Sequence, residues 1–118
     1  MRMAPLILVV DRDADVCEVI GHILDDAGFR ADAARRSTAE RLVDEADVDL
    51  LLLDVTPRQG WTILSARARR RGIPVLLMTA DPSCRLPLAD SGLPHLFKPF
   101  RAADLLGVVE TALAARRA

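Results

Sequence analysis

The sequence predicts a doubly wound α/β sandwich in three layers, built from five strand-then-helix units around a parallel five-stranded sheet. Three observations lead there. The run Leu50-Leu51-Leu52-Leu53 is apolar without alternation, the pattern of a strand covered on both faces, and such strands belong to parallel sheets packed between helices. Asp54 and Pro57 close that run after four or five residues, too few for a core helix. Strand-type and helix-type patterns alternate along the rest of the chain, and right-handed crossovers then put helices on both faces of the sheet.

Leu6–Val10 is a continuous run of strand formers ending at Asp11, a mirror of the leucine run ending at Asp54. Residues 13–27 carry Val16, Val19, Ile20, Ile23, Leu24 and Ala27 at helical spacing, with Gly28 as the stop. Residues 29–33 form a short strand suited to an edge. Ser37-Thr38-Ala39-Glu40 fits a capping box opening a second helix, with Leu42, Val43 and Ala46 inward. Residues 59–71 read as a third helix, Trp61, Leu64 and Ala68 on its inner side and Arg67, Arg69, Arg70 and Arg71 on a solvated one. Residues 74–79 are a fourth buried strand, with Pro74 tolerated at its first position. Pro82, Pro87, Gly92 and Pro94 limit the next helix to one or two turns. His95–Phe97 is a brief fifth strand, and residues 102–115 close the chain as a helix with Leu105, Leu106, Val109, Ala112 and Leu113 inward.

At 118 residues the chain makes one domain, 1–118, able to bury its own core, and 51% hydrophobic with 28% charged residues is a globular composition. A net charge of -1 gives no electrostatic case for nucleic acid or a membrane surface as partner. No apolar run approaches membrane-spanning length, and Met1-Arg2-Met3-Ala4 leads straight into a strand, so the cytoplasm is the expected location. Cys17 and Cys84 stand apart without paired histidines and read as reduced thiols, not a zinc site.

In strand order 2-1-3-4-5 the sheet reverses direction between strands one and three, and ligands of such folds gather outside the carboxyl ends of the strands at that point. Asp11 and Asp54 meet there, with Thr79 and Lys98 at the ends of strands four and five. Taken singly, each aspartate is equally a cap or turn residue, Thr79 a strand-end hydroxyl and His95 a half-buried histidine. Lys98 stands out: it is the only lysine among sixteen basic residues. A compact ammonium reaching an anionic oxygen is poorly replaced by a planar guanidinium.

The segments Leu6-Ile7-Leu8-Val9-Val10-Asp11, Leu51-Leu52-Leu53-Asp54, Met78-Thr79-Ala80 and Leu96-Phe97-Lys98-Pro99-Phe100 cover nearly the whole chain in one order. Together they resemble the receiver domain of bacterial two-component response regulators, a flavodoxin-like (βα)5 fold. The resemblance implies that Asp54 is the phosphoacceptor, taking a phosphoryl group from a sensor histidine kinase or phosphotransfer protein as an acyl phosphate. It implies Mg²⁺ as cofactor, held by Asp11, Asp54 and the backbone carbonyl of Thr56. Thr79 matches the hydroxyl residue that bonds the phosphoryl group, Lys98 the lysine that pairs with it, and His95 the position of a rotating aromatic, so Thr79 and His95 form the switch. Lys98-Pro99 matches a peptide bond usually cis in the family. Implied partners are the kinase and an output domain or downstream protein, with a homodimer left open. No enzyme activity is implied beyond self-phosphorylation and self-dephosphorylation.

The sequence departs from the family in four places. Arg12 stands where the second metal-binding acid belongs, turning a negative charge positive at a site that wants carboxylate oxygens. Asp13 offers compensation but also opens a helix it is suited to cap. Pro57 and Gly60 follow Asp54 sooner than the family's proline and glycine do, and the interval from Thr79 to Lys98 is shorter. The rival reading is therefore a pseudo-receiver, a phosphorylation-independent interaction module in which Arg12 fills the metal site and ties down Asp54 or Asp11. A remoter alternative is a haloacid-dehalogenase-like phosphohydrolase, from Asp11-Arg12-Asp13, but Asp15 stands where that motif wants threonine or valine, and no late acidic pair follows Lys98. The same turn lacks the hydroxyls and glycines of a flavin-phosphate loop.

Overall fold

The computed structural model describes residues 3–117; Met1, Arg2 and Ala118, and with them the first two residues of the lead into the first strand, lie outside the described residues. Five strands, β1 (Leu6–Val10), β2 (Arg30–Ala33), β3 (Leu50–Asp54), β4 (Val75–Thr79) and β5 (His95–Phe97), alternate with five helices, α1 (Ala14–Asp26), α2 (Arg36–Glu45), α3 (Thr62–Arg70), α4 (Arg85–Asp90) and α5 (Ala102–Arg117). All strand pairs are parallel, in the order β2-β1-β3-β4-β5. This is the flavodoxin-like three-layer architecture expected from the sequence.

The leucine run explains the layering. Side chains alternate faces along a strand, so Leu51 and Leu53 join Leu8, Val10 and Leu77 under α2, α3 and α4. Leu50 and Leu52 join Ile7, Val9, Leu76 and Met78 under α1 and α5. All four leucines are 0% exposed. Burying each contributes roughly 1.5–3 kcal/mol, which is why the middle of the chain fixes the sheet. Gly28, at φ +90°, turns the chain out of α1 into the edge strand, a left-handed conformation glycine adopts without a Cβ clash.

Three local expectations fail, each because tertiary contacts outweigh local signals. The capping box at Ser37-Thr38-Ala39-Glu40 does not form: α2 begins at Arg36, its N-cap Arg35 makes no side-chain cap, and Glu40 instead reaches Arg67 of α3 at 3.7 Å. Ala39 and Val43, both 0% exposed, set the helix's rotation against the sheet. Helix α3 starts at Thr62 rather than residue 59, because the Thr56 hydroxyl accepts the Gln59 N–H at 3.1 Å and closes a turn first. Val19 is 58% exposed, so the inner stripe of α1 runs through Ile20 and Leu24 without it. The arginine run is only partly solvated. Arg67 pairs with Asp44, and Arg71 donates to the carbonyls of Val43 and Asp44, clamping α3 onto the C-terminal end of α2. Arg69 and Arg70 are exposed. Cys17 and Cys84 are free.

Candidate functional site

The parallel register brings the strand ends level. Val10 lies opposite Leu53, so Asp11 and Asp54 leave the sheet side by side at the reversal point; Thr79 lies opposite Phe97, so Lys98 follows one residue later beside them. Lys98 Nζ donates to Asp11 Oδ2 at 2.5 Å and to Asp54 Oδ1 at 2.8 Å. The three side chains are 4%, 13% and 16% exposed for Asp11, Asp54 and Lys98, so this triangle sits largely out of water. The Lys98-Pro99 bond is cis.

Burial pushes the Asp54 carboxyl above the usual carboxylate range; the hydrogen bond and charge of Lys98 oppose that shift, Asp11 adds to it, and Arg36 reduces it. Burial alone would lower the Lys98 ammonium, but its hydrogen bonds to Asp11 and Asp54 outweigh burial and raise it. A carboxylate held partly desolvated, with one oxygen on an ammonium, has the electronic character of a nucleophile kept in place by its counter-charge.

The other sequence candidates divide. Thr79, 1% exposed, donates its hydroxyl to the Val55 carbonyl at 2.7 Å and accepts the Asp81 N–H at 3.1 Å, which ties the end of β4 to the loop beyond Asp54 and to the start of the α4 segment. His95 is half-buried, its Nδ1 2.8 Å from the Leu93 carbonyl oxygen and its ring tilted against Phe97 at 5.4 Å. Thr56 closes the turn after Asp54. Asp13 caps α1, its Oδ1 accepting the N–H groups of Asp15 at 2.9 Å and Val16 at 3.3 Å. Arg12 is exposed at the crevice and, among the described residues, makes no ion pair with Asp11 or Asp54. Lys98 occupies both carboxylates instead, so the tie through Arg12 that the pseudo-receiver reading expects is absent.

The sequence resemblance implies Mg²⁺ at this acidic pocket. The donor set of this chain does not fit a resident dication. Both facing carboxylates are hydrogen-bonded to an ammonium, Asp13 is spent on a helix cap, and the Arg12 guanidinium stands where the second metal-binding acid belongs. Among the described residues no cluster of three or more His, Cys, Asp or Glu side chains is arranged to hold a metal ion.

One group escaped the sequence reading. A crevice of about 870 Å³ opens beside the triangle between α1 and the start of α2, lined by Asp11 and Asp54 and also by Arg12, Arg35, Arg36 and Gln59. The doublet Arg35-Arg36 comes one residue, Ala34, after β2, and the residues just after a strand of a parallel sheet lie on its carboxyl edge. That position was the available signal.

Two aspartates bridged by a lysine at the reversal point, with a buried threonine at the next strand end, form the arrangement that the resemblance to signal-receiver domains implies. No protein-family model matches the chain. It is 30% identical over 118 residues to protein Rrf1 of Nitratidesulfovibrio vulgaris, covering 95% of this chain and 85% of that one. Among solved structures it is similar to a response regulator receiver protein from Sinorhizobium medicae (28% identity, TM-score 0.83, 96% and 97% of the two chains). It also resembles a CheY-like receiver domain protein from Methanospirillum hungatei (22% identity, TM-score 0.81, 97% of each chain). The chain belongs to the response regulator receiver family. Receiver domains are generally signalling domains and not catalysts of metabolic reactions. Among the described residues no helix is long and apolar enough to cross a membrane.

Proposed function

We propose that this receiver accepts a phosphoryl group on Asp54 from a sensor histidine kinase or phosphotransfer protein. A carboxylate oxygen of Asp54 forms the new O–P bond as the donor's N–P bond breaks, and the imidazole leaves with the bonding pair and takes a proton. The observation that carries the reading is Lys98 bridging Asp11 and Asp54: a cation already fixed 2.8 Å from the nucleophile is placed for the charge that develops on phosphoryl oxygens. The other oxygen, Oδ2, stays outside that contact.

The switch proposed downstream runs through Thr79. Turning its hydroxyl toward a phosphoryl oxygen releases the Val55 carbonyl and deprives the Asp81 N–H of its acceptor. That loosens the segment from Pro82 to Asp90 and the packing around His95, shifting a two-state equilibrium on the face read by an output domain or downstream protein. Given the donor set, Mg²⁺ is proposed to bind weakly and to stimulate phosphorylation little.

The test is incubation with acetyl phosphate, read by intact mass. One added phosphoryl group, labile in base and missing in Asp54→Asn, supports the reading. No added mass with excess donor and with a cognate kinase would sink it and favour the phosphorylation-independent interaction module.

A further inference from the structure

Arg36 opens α2 at the rim of the crevice shared with Asp54. Among the described residues its guanidinium makes one hydrogen bond, from Nη1 to the Gly60 carbonyl at 2.5 Å, on the loop that follows Asp54. Its Nε is buried and has no hydrogen-bond partner, the one such buried side-chain polar atom among the described residues. Burying part of a cation with a free N–H and no carboxylate in contact is costly, and such orphaned groups in folded proteins call for a reason. The reason here is position. The crevice is lined by Asp11, Glu18 and Asp54 with three negative charges and by Arg12, Arg35 and Arg36 with three positive ones, and Lys98 bridges Asp11 and Asp54 beside it. A phosphoryl group on Asp54 adds negative charge to a site already provided with cations.

We propose that Arg36 is a phosphoryl-binding residue. From the first turn of α2 it presents its guanidinium to the phosphoryl group on Asp54, opposite Lys98, and supplies charge that a divalent ion supplies in other receivers. The proposal rests on Asp54 being the phosphoacceptor, and it specifies the regulation of that site: phosphorylation proceeds in the absence of divalent metal. Gly60 acts as the tether that holds the guanidinium in the crevice. Burial lowers the Arg36 guanidinium, the Glu40 charge and, less, the Asp54 charge oppose that, and Arg36 in turn slightly lowers the Asp54 carboxyl.

The experiment is acetyl-phosphate labelling in EDTA, in which the Asp54 O–P bond forms as the donor's P–O bond breaks and acetate leaves. The wild-type chain labels in EDTA within about threefold of its rate with Mg²⁺, and Arg36→Ala labels at least about tenfold more slowly, the worth of a charge-assisted hydrogen bond. Guanidinium chloride at tens of millimolar restores labelling of Arg36→Ala, while sodium chloride at equal ionic strength does not. A merely structural role for the Gly60 tether would not give that difference. Should Arg36→Ala fail to fold, Arg36→Lys against Arg36→Gln decides, with the lysine variant labelling faster. Wild-type labelling with equal rates in Arg36→Ala, or equal rescue by both salts, overturns the role of Arg36 alone. A wild-type chain that does not label under any condition overturns the phosphoacceptor reading, and this proposal with it.

Discussion

Replacing Lys98 with methionine keeps most of the side-chain volume and removes the charge, leaving Asp11 and Asp54 facing one another at 4% and 13% exposure. Removing one partner of a buried ion pair costs about 3–5 kcal/mol, because the charge left behind has lost both water and partner. Part of that cost is relieved by protonation. The Asp54 carboxyl already lies above the usual range, and without the opposing hydrogen bond and charge of Lys98 it rises further. An acid whose folded-state value is raised binds its proton more tightly when folded, so the folded state loses ground as pH climbs from the ordinary carboxylate range through the raised value. The deficit of Lys98→Met is therefore fullest above that raised value and shrinks as pH falls toward 4. We expect about 3 kcal/mol at pH 8, a fall in Tm of roughly 10 °C for a domain of this size, and a smaller deficit at pH 5. Urea denaturation at both pH values measures it. Adding Asp54→Asn should recover about 1–2 kcal/mol at pH 8, since the neutral amide removes the facing charge. A Lys98→Met chain as stable as the wild type at pH 8, or a deficit that grows as pH falls, would refute the reasoning.

Asp13→Ala should cost about 1 kcal/mol by thermal melting through loss of the α1 cap, without changing the response to Mg²⁺; a changed response would make Asp13 a ligand. Thr79→Val removes a buried hydroxyl that donates to Val55 and accepts from Asp81, and should cost about 1–2 kcal/mol in urea. Hydrogen exchange in that variant should quicken at Asp81 and through the following turn; unchanged protection there would break the proposed link from Thr79 to α4. Trp61, half-buried at the end of the loop after Asp54, should show no fluorescence change with millimolar Mg²⁺, whereas Arg12→Asp should create one. A clear Mg²⁺ titration of the unmodified protein would contradict the reading of the donor set.

Strands β1, β3 and β4 were legible because continuous apolar runs bounded by aspartate, threonine and proline leave a chain few options, and buried strands force a two-sided sheet. The carboxyl edge follows from topology, so the sequence alone places Asp11, Asp54, Thr79 and Lys98 at one edge of the sheet. Contacts chosen among competing partners were less legible. Glu40 fits a capping box by spacing, but Arg67 on a neighbouring helix is a better partner for its charge. Asp13 had two plausible uses, and local geometry gave it to the cap. Only the rival pseudo-receiver reading ties Arg12 to a carboxylate, and Lys98, delivered from across the sheet, pairs with both instead. Arg36 was invisible as a site residue because nothing local distinguishes it from Arg35. Only the approach of the Gly60 loop singles it out.

The central claim is that Asp54 is the acceptor. After acetyl-phosphate treatment, sodium borohydride reduces an acyl phosphate on aspartate to homoserine, and peptide mass spectrometry then reads the residue directly. The account predicts homoserine at position 54 alone, formed in EDTA as well as with Mg²⁺, and none at Asp11 or Asp13. Unaltered aspartate at 54 in protein that has gained a phosphoryl group, or homoserine at 11 or 13, would contradict it.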